Sequence, residues 1–497
     1  MELRNYQKES VHLLSKGFVE NQRQVLCLPT GAGKTVVFSD IVCKAAKRGT
    51  VTLVLTDRTE LFKQTVKALG RFDVAVEEIK PNKKNTYKGA TIYVAMVETL
   101  KRRKELLEEL PINLIIADEA HKQNFNKIFD AFPDAYVIGA TATPVGKHFY
   151  KYYHSIVQTI DVPDLVDQGF LVPCRAFQMV DDFSDLETSR MGEFTSESLN
   201  NHFKDKNLYD GVISWWKKKA IGKKTIVFNC SINHCEEVTK QFLDAGISSE
   251  AITSKTPKEE RDRILEAFRL GYFSVLNNCG ILTTGYDEPT IECVVLNRAT
   301  ESLPLYLQMI GRGSRLIDSA IGGLETSEQR LDAIRQSSKP FFTVLDFGGN
   351  HDRHGLWNEA RQWSIEKPKR KKKGLQVAPV KTCPNCEAMV GVREALCPYC
   401  GHEWEAGTRE LKKGGKLVEI TVKDFEGLKV SDCSIDDLIN LQRLKKYKAT
   451  YIWRVVRSRG MDAILEYADK MEYSKGWIYK QKEKLEDSGF TNYLIKE

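Results

Sequence analysis

The sequence lacks any long hydrophobic run. No stretch of its 497 residues approaches the roughly 20 apolar residues that a membrane-spanning helix needs. Residues 1–5 also lack the apolar region of a secretory signal. We therefore expect no membrane partner and a cytoplasmic location, associated with the nucleoid if the cell is bacterial.

The sequence also lacks a disulfide pattern and a strong charge bias. Eight of the twelve cysteines are scattered singly, and some, such as Cys27 and Cys293, lie inside apparent strands, which favours a reducing, intracellular setting. The net charge of +7 is small for this length, so only the local distribution of charge is informative. Hydrophobic and charged fractions of 42% and 28% are typical of a soluble globular protein. The length predicts about two to four domains.

A glycine-containing loop at residues 28–35 is the first chemical signal. It follows the apolar run 25–28 and precedes a helical pattern. Such a loop points backbone N–H groups at phosphate oxygens, while its lysine reaches the outer phosphates and its hydroxyl takes a Mg²⁺ position. Leu28 stands where the strict pattern has glycine, and an ordinary strand-to-helix turn is the alternative. The predicted nucleotide-binding residues here are Thr30, Gly31, Ala32, Gly33, Lys34 and Thr35.

Two adjacent carboxylates supply what the loop lacks. Asp118 and Glu119 follow the apolar run 114–117, which places them at the carboxyl end of a buried strand, where parallel sheets bind ligands. Asp118 is predicted to hold Mg²⁺ together with Thr35, and Glu119 to orient and deprotonate the attacking water. Two acids after a strand mean little alone. Together with the loop they predict hydrolysis of ATP or a close relative.

Short apolar runs alternate with helical patterns in two successive parts of the chain. The candidate strands are residues 25–28, 52–55, 91–95, 113–117, 135–140, 224–228, 273–277, 293–296 and 341–345. This alternation predicts an α/β fold with two parallel sheets covered by helices. The expected domains are residues 1–160 and 205–362, joined by a connection at 161–204 and followed by a basic linker at 363–380, a four-cysteine ribbon at 381–404 and a mostly helical module at 405–497.

The order of short motifs over about residues 1–350 resembles that of superfamily 2 helicases and translocases. The matching segments are residues 3–7 (the Q-motif), 29–35 (motif I), 56–61 (Ia), 118–121 (II, spelled DEAH), 141–143 (III), 226–228 (IV), 283–287 (V) and 308–315 (VI). The resemblance implies two tandem RecA-like domains that hydrolyse ATP in the cleft between them. It also implies an enzyme whose ATPase activity depends on nucleic acid.

The resemblance implies roles for the matched residues, beginning with the nucleotide. It implies that the nucleotide site also includes Arg4, Gln7, Gly285 and Asp287. It implies that hydrolysis is coupled to movement by His121, Thr141 and Thr143. Gln308, Arg312 and Arg315 are expected in catalysis. Three residues apart, the two arginines should share one helical face and reach the γ-phosphate from the opposite domain. The expected nucleic-acid contacts are Arg58, Thr99 and Thr283.

A cysteine cluster predicts a structural zinc site. Cys383 and Cys386 form one Cys-x-x-Cys pair, and Cys397 and Cys400 form a second pair after ten intervening residues. Four thiolates at this spacing can close a tetrahedral Zn²⁺ site, and so small a module needs the metal in order to fold. A redox dithiol or free thiols are the alternative. His402 is adjacent but surplus to the four ligands.

The segment 442–459 holds seven basic residues and no acid, with Tyr447, Tyr451 and Trp453 interleaved. Basic groups for phosphates and rings for stacking predict a nucleic-acid surface that includes Lys445, Lys446, Lys448 and Arg454. A solvated helix whose aromatic residues belong to a core is the alternative. Residues 473–482 repeat this composition and include Lys475-Gly476-Trp477. Together with the motor and the ribbon, this Lys-Gly-Trp tail resembles RadD-type bacterial DNA repair helicases or a phage relative. That resemblance implies a role in DNA repair or recombination.

Motif spelling favours DNA as the substrate. Motif VI begins with Gln308 where DEAD-box RNA helicases usually have histidine, and motif Ia has Asp57-Arg58 in place of their Pro-Thr-Arg-Glu-Leu. The expected partners are single-stranded or branched DNA and, beyond it, recombination or single-strand-binding proteins. The alternatives are an RNA helicase and a nucleic-acid-binding protein whose affinity for nucleic acid is switched by ATP. The basic run 367–373 is expected to be a linker, with a nuclear import signal as its alternative.

Overall fold

The chain divides after residue 406 into a long amino-terminal unit and a short carboxyl-terminal unit. The computed structural model describes residues 3–366 except 73, 84, 123, 147–148, 180–182, 184–185, 190–192, 206–207 and 284; residues 380–404 except 393; and residues 433–436, 438–439, 449–471 and 473. Every helix in these ranges is too short or too polar to cross a bilayer.

The first sheet has seven parallel strands in the order β3-β4-β2-β5-β6-β1-β7. They are β1 (Arg23–Cys27), β2 (Thr52–Thr56), β3 (Glu77–Ile79), β4 (Ile92–Met96), β5 (Leu114–Asp118), β6 (Tyr136–Thr141) and β7 (Ser155–Val157). The helices of this part are α1 (Asn5–Gly17), α2 (Lys34–Lys47), α3 (Thr59–Gly70), α4 (Val97–Arg102), α5 (Lys104–Glu109), α6 (Asn126–Ala131) and α7 (Phe149–Tyr152). We call this part lobe 1.

The second sheet has six parallel strands in the order β10-β11-β9-β12-β13-β8. They are β8 (Cys174–Gln178), β9 (Thr225–Asn229), β10 (Ser249–Ile252), β11 (Val275–Asn278), β12 (Cys293–Asn297) and β13 (Phe342–Asp346). The helix that connects the two parts is α8 (Val162–Asp167). We call the second part lobe 2. Its helices are α9 (Ser196–Asp205), α10 (Leu208–Lys219), α11 (Ile232–Asp244), α12 (Lys258–Leu270), α13 (Leu303–Ile310), α14 (Ser327–Gln336) and α15 (Asn350–His354).

The predicted fold class is confirmed. Each of the candidate strands is present with bounds that differ by at most two residues from the predicted ones. Central strands such as β2, β5 and β9 are buried at every position, as expected for parallel strands that helices cover on both faces. One large hydrophobic cluster includes residues of both lobes, so the lobes share a packed interface.

One strand lies inside the segment that we expected to be only a connection. β8 (Cys174–Gln178) pairs in parallel with β13 and forms the edge of the second sheet. Cys174 and Ala176 are buried, whereas Arg175 between them and Phe177 and Gln178 after them are partly exposed. An edge strand with one covered face does not show the continuous apolar run that marks the central strands.

The four-cysteine ribbon packs against this edge strand. Its two antiparallel strands are β14 (Val380–Thr382) and β15 (Met389–Gly391). The Tyr399 hydroxyl donates a 2.7 Å hydrogen bond to the Cys174 carbonyl, and Glu387 is ion-paired at 2.8 Å with both Lys218 and Lys219 of α10. Met389 is buried within the large cluster of the two lobes. The ribbon is therefore part of the amino-terminal unit.

The carboxyl-terminal unit contains α16 (Ala449–Ser458) and α17 (Met461–Lys470), with further helical residues at 435–436 and 438–439. Its small core includes Leu438, Ile452, Val456, Ile464 and Tyr467. Trp453 packs against this core with its ring 6.0 Å from that of Tyr467. For this residue the structure favours the core alternative over a freely stacking ring.

Candidate active site

The glycine loop connects the carboxyl end of β1 to the first turn of α2. Gly31 and Gly33 have φ angles of 94° and 80°, a region that side chains other than glycine rarely adopt. A Cβ atom on Gly31 would lie 2.6 Å from a methyl group of Leu171, so the loop has no room for a larger residue. Lys34 is the first residue of α2, and Thr35 follows it. The loop therefore points toward the amino terminus of a helix, which is the arrangement that binds phosphate.

Asp118 and Glu119 end β5 on the same edge of the sheet. The pKa of Asp118 is raised to about 7, first by burial and then by the adjacent charge of Glu119, while the charge of Lys34 opposes both effects. Glu119 has a φ of 53°, in the left-handed region, and its backbone N–H donates to Asp118 Oδ1 at 3.0 Å. Burial lowers the pKa of Lys34, against the opposing charges of Glu119 and Asp118.

A short chain of polar contacts joins the acids to β6. Glu119 Oε2 lies 3.3 Å from His121 Nδ1, and that nitrogen is hydrogen-bonded at 3.0 Å to the Thr141 hydroxyl. The backbone N–H of Thr143 donates to the same hydroxyl at 3.1 Å. Burial lowers the pKa of His121, which favours the neutral ring. The residues predicted to couple hydrolysis to movement are thus in contact with one another.

Residues of α1 reach the same loop. The Tyr6 hydroxyl and Gln7 Nε2 both donate to the Ala32 carbonyl at 2.9 Å. Arg4 lies beside them, with its guanidinium 4.1 Å from the centre of the Phe170 ring.

Phe170 was not predicted as a site residue. Arg330 of lobe 2 contacts the same ring at 4.2 Å, so Phe170 lies between an arginine of each lobe. A single aromatic residue in a segment that reads as a connection carries no periodic signal, and the sequence offers no way to find it.

Arg312 and Arg315 come from lobe 2, but they do not share a helical face. α13 ends at Ile310, and both arginines lie in the turns beyond it. The expectation of one helical face is wrong, because the helix stops at Gly311 before either arginine. The turns nevertheless hold both side chains toward the cleft. Gln308, which precedes them, is buried in the last turn of α13.

Arg315 reaches the glycine loop. A Cβ atom on Gly31 would lie 3.0 Å from its guanidinium, and its Nε is 3.0 Å from Asp287 Oδ1. Arg312 is 8% exposed and donates to the Thr283 carbonyl at 2.7 Å and to the Tyr286 carbonyl. The pKa of Arg312 is lowered to about 10, mainly by burial and then by the charge of Arg315, while Asp287 and Glu119 oppose both effects.

The lobes touch at two further points around the cleft. A Cβ atom on Gly311 would lie 3.1 Å from a side-chain carbon of Thr30, so motif VI packs directly on the glycine loop. Gln64 of α3 donates a 2.6 Å hydrogen bond to the carbonyl of Gly285. A Cβ atom on Gly285, whose φ is 78°, would lie 3.2 Å from the Cβ atom of Glu60 in motif Ia. The residues matched to motifs I, Ia, V and VI therefore meet at one interface.

The cleft fits a magnesium–nucleotide complex. Among the described residues, Glu119 Oε2, Arg312 Nε and the Thr143 hydroxyl are buried and have no hydrogen bond of good geometry. Buried polar atoms normally have partners, and clusters of exceptions mark sites that take a ligand. The orphaned atoms are two donors and a carboxylate oxygen, placed around a glycine cradle and a lysine. That donor set suits a triphosphate and a water molecule.

The residues predicted to contact nucleic acid lie at strand ends. Arg58 follows β2 by two residues and is the N-cap of α3, and Thr99 lies in α4 just after β4. Since β2 and β4 are neighbours, both residues lie at the same edge of the first sheet. Thr283 follows β11 and is buried, with its carbonyl engaged by Arg312. Lys122 forms an ion pair with Asp57 across the same region.

The four predicted zinc ligands are brought together. Their sulfur atoms lie within 4.8 Å of one another, with Cys383–Cys400 at 3.6 Å and Cys386–Cys397 at 3.7 Å. Zinc–sulfur bonds of about 2.3 Å in a tetrahedron require sulfur atoms about 3.8 Å apart. The two knuckles also share a backbone form, because the N–H of Glu387 donates to Cys383 O and that of Gly401 to Cys397 O.

The predicted basic surface of the tail falls mostly outside the described residues. Lys445, Lys446 and Lys448 lie outside them, and Arg454 lies in α16 without a described side chain. Their predicted role in DNA binding stays a prediction.

Comparisons with known families match the two lobes separately. Residues 1–146 match the type III restriction enzyme res subunit family, and residues 204–316 match the helicase conserved C-terminal domain. The family implies ATP and Mg²⁺ as the nucleotide and its metal.

Three relatives are similar to the chain over most of its length. A 51.5 kDa protein of a Lactococcus phage is 27% identical over 77% of this chain and 79% of its own length. The putative ATP-dependent helicase IRC3 of Saccharomyces cerevisiae is 30% identical over 63% of this chain, which spans only 49% of that protein. The DNA 3'-5' translocase XPB2 of Sulfurisphaera tokodaii is 24% identical over 68% of this chain and 85% of its own length.

A solved structure supports the fold. A fragment of a putative HsdR subunit of a type I restriction enzyme from Vibrio vulnificus superposes with a TM-score of 0.53 at 23% identity, over 69% of this chain and 64% of that one. The two matched domains and the ATP-dependent helicase relatives show an ATP-dependent enzyme, and they support its assignment to the superfamily 2 helicases and translocases.

Proposed function

We propose that the protein is an ATP-driven DNA translocase or helicase of the DEAH-spelled, RadD-like kind, acting in DNA repair or recombination. One observation carries the ATPase part of the proposal. Arg315 of lobe 2 lies against the glycine loop of lobe 1, so the site is complete only where the lobes meet. Hydrolysis in such a site depends on domain closure, and closure is what can move a polymer.

The phosphate-binding groups come from lobe 1. Backbone N–H groups of residues 31–35 would surround the phosphates at the amino terminus of α2, and Lys34 would neutralise the outer ones. Tyr6 and Gln7 donate to the Ala32 carbonyl, and this contact between α1 and the loop supports the proposal that Arg4 and Gln7 bind the nucleotide. Mg²⁺, when bound through Thr35 and Asp118, would neutralise charge on the phosphate oxygens.

Glu119 is the proposed general base. Its Oε2 is buried without a hydrogen bond of good geometry, and its charge lies close enough to Lys34 and Arg312 to affect the pKa of both. It would accept a proton from the water that attacks the γ-phosphate. Arg315, held by Asp287, and Arg312, held by two carbonyls, supply positive charge from the opposite lobe. Planar guanidinium groups suit this task because they match phosphate oxygens in pairs.

Coupling to movement is proposed to run through Thr141. Its hydroxyl contacts both His121 and the backbone of Thr143, so a shift of the Glu119 turn reaches the end of β6. On the other lobe, Arg312 is bonded to the carbonyl of Thr283, a predicted nucleic-acid contact. One guanidinium thus joins the nucleotide site to the segment expected to hold the polymer.

DNA is the polymer that we propose. One relative is named a DNA translocase, and the families matched include restriction enzyme subunits. The spelling of motifs Ia and VI supports the same choice. Single-stranded or branched DNA is the proposed form, contacted by Arg58, Thr99 and Thr283, with recombination or single-strand-binding proteins as further partners.

The four-cysteine ribbon is proposed to hold a structural zinc ion. All four positions of a tetrahedron are taken by cysteine, which leaves none for a reacting water. Zinc would supply the folding energy that so small a core lacks. Because Tyr399 bonds to β8, the folded ribbon also covers the exposed edge of the second sheet.

The test is phosphate release measured with no polymer, with single-stranded DNA, with forked DNA and with single-stranded RNA of equal length. We expect DNA to raise turnover about tenfold or more, because polymer binding favours the closed cleft. Arg315→Ala, as a control, should remove the stimulation. Equal stimulation by RNA would refute the choice of DNA. If no polymer stimulated phosphate release, the proposal that the protein is an ATP-driven translocase or helicase would be refuted.

A further inference from the structure

Lys339 is a fully buried lysine with no part in the site described above. It lies between α14 and β13, and only 1% of it is exposed. Its ammonium group donates to the Pro289 carbonyl at 2.7 Å and to the Arg315 carbonyl at 2.9 Å. No sequence motif marks this residue.

The two carbonyls belong to the two segments that form the lobe 2 side of the cleft. Pro289 follows the motif V loop that carries Asp287, and Arg315 ends motif VI. The same two segments are also joined by the 3.0 Å ion pair between the side chains of Asp287 and Arg315. The ammonium group of Lys339 therefore adds a second link, through backbone carbonyls, between the two segments that the ion pair joins.

The backbone of Lys339 is itself well anchored. Its N–H donates to the Ser337 hydroxyl at 3.1 Å, and that hydroxyl donates to the Ile334 carbonyl in the last turn of α14 at 2.8 Å. The following Pro340 restricts Lys339 to extended backbone. α14 is held in turn to the connection between the lobes, since Arg330 donates to the Gln168 carbonyl at 2.6 Å. These hydrogen bonds fix the position of the Lys339 backbone, from which the ammonium group extends.

Burial of this amine costs free energy. Burial lowers the pKa of Lys339 to about 7; the charges of Glu292 and Glu288 oppose this effect, and that of Arg315 adds to it. A neutral amine still has two N–H donors, so both carbonyls can be held on either side of that pH. An apolar side chain of similar length would fill the space at lower cost. The contacts with the two carbonyls are what an apolar residue could not make.

We propose that Lys339 is a positioning residue for the arginine finger: it fixes the backbone of Arg315 against the motif V loop, so that the guanidinium meets the γ-phosphate when the lobes close. The proposal rests on the proposed function, in which Arg315 is that finger. Lys339 does not touch the nucleotide. Its effect must therefore pass through Arg315.

The experiment compares Lys339→Met, which keeps the length and removes the donors, with Lys339→Arg, which keeps donors and charge. Displacement of a catalytic group by about 1 Å costs on the order of 10²-fold in rate. We expect Lys339→Met to lower the kcat of DNA-stimulated ATP hydrolysis by about 10–100-fold while the KM for ATP and the DNA affinity stay near wild type. Lys339→Arg should recover a large part of the loss.

Lys224→Met is the matched control. Lys224 also lies in lobe 2 and donates to a backbone carbonyl, that of Arg269, at 3.0 Å. It precedes β9, and its carbonyl partner belongs to α12 rather than to motif V or motif VI. Lys224→Met should keep the wild-type kcat. If Lys339→Met acted only through a general loss of lobe 2 stability, the kcat of both variants would fall.

A double-mutant cycle decides whether Lys339 acts through the finger. In an Arg315→Ala background, Lys339→Met should add little further loss, because the group that it positions is gone. Equal losses in both backgrounds, or an unchanged kcat in the single variant, would overturn the proposal. So would a fall in melting temperature of both Lys339 variants that accounts for the lost activity. If Arg315→Ala alone keeps wild-type turnover, the finger assignment in the proposed function has failed instead.

Discussion

Replacement of Glu119 by glutamine separates nucleotide binding from hydrolysis. The two side chains have the same size, so the left-handed turn and the cleft should be preserved. Glutamine cannot accept the proton of the attacking water. General-base catalysis contributes about 10²–10⁴-fold, or about 3–5 kcal/mol of barrier. We therefore expect Glu119→Gln to lower kcat by that factor, with ATP bound at least as tightly as by the wild type.

The electrostatics of the site predict how this variant responds to pH. Asp118 has a pKa raised to about 7, after burial mainly by the charge of Glu119. A carboxyl group that must ionise to hold Mg²⁺ loses affinity as the pH falls below its pKa, by about tenfold per pH unit. Glu119→Gln removes the repelling charge and lowers the pKa of Asp118. At pH 6 the variant should bind Mg²⁺–ATP more tightly than the wild type, and at pH 8 the two should converge.

The assay is fluorescent-nucleotide titration at pH 6 and pH 8, together with steady-state phosphate release. Glu108→Gln, the same change at an exposed position of α5, is the matched control and should behave as wild type. Turnover near the wild-type value would show that Glu119 is not the base. A large loss of ATP affinity at pH 8 would show that Glu119 acts in binding, and the reasoning above would be refuted.

Three further predictions concern the other predicted residues. Lys34→Ala should weaken ATP binding by about 10–100-fold, measured by the same titration, since a charged hydrogen bond to phosphate is lost; unchanged affinity would contradict the phosphate cradle. Freshly purified, reduced protein should contain about one zinc ion per chain by metal analysis. Cys397→Ser should lose it and lower the melting temperature by a few degrees, because the ribbon packs on β8; zinc-free wild type would refute the site. Lys445→Glu combined with Lys448→Glu should reduce the slope of log DNA affinity against log salt by about 1.4–1.8 while basal ATPase survives; a wild-type slope would show that the motor alone holds DNA.

The ribbon prediction changes once the structure is considered. From the sequence, the ribbon and the motor are expected to form separate cores, so loss of zinc should leave the motor untouched. In the structure Tyr399, Glu387 and Met389 all contact lobe 2. Loss of the metal should therefore be felt by the edge strand β8 as well.

The sequence alone determined the chemistry wherever the reacting groups are neighbours along the chain. Gly31 to Thr35 form a phosphate loop because the spacing of glycines and lysine is itself the local structure. Asp118 and Glu119 end a strand whose apolar run is visible in the sequence, and the two Cys-x-x-Cys pairs each set half of a metal site. The central strands were found for the same reason, since burial on both faces requires a continuous apolar run.

Only the tertiary structure decided what depends on contacts between distant segments. β8 is an edge strand with alternating burial, and its partner β13 lies more than 160 residues further along the chain. Arg312 and Arg315 reach the cleft from turns after α13, where helical spacing is no guide. Phe170 and Lys339 carry no motif, because their roles come from arginines and carbonyls that only folding brings near. Periodicity and spacing report what a residue's own segment does, and they contain no information about which other segment will lie against it.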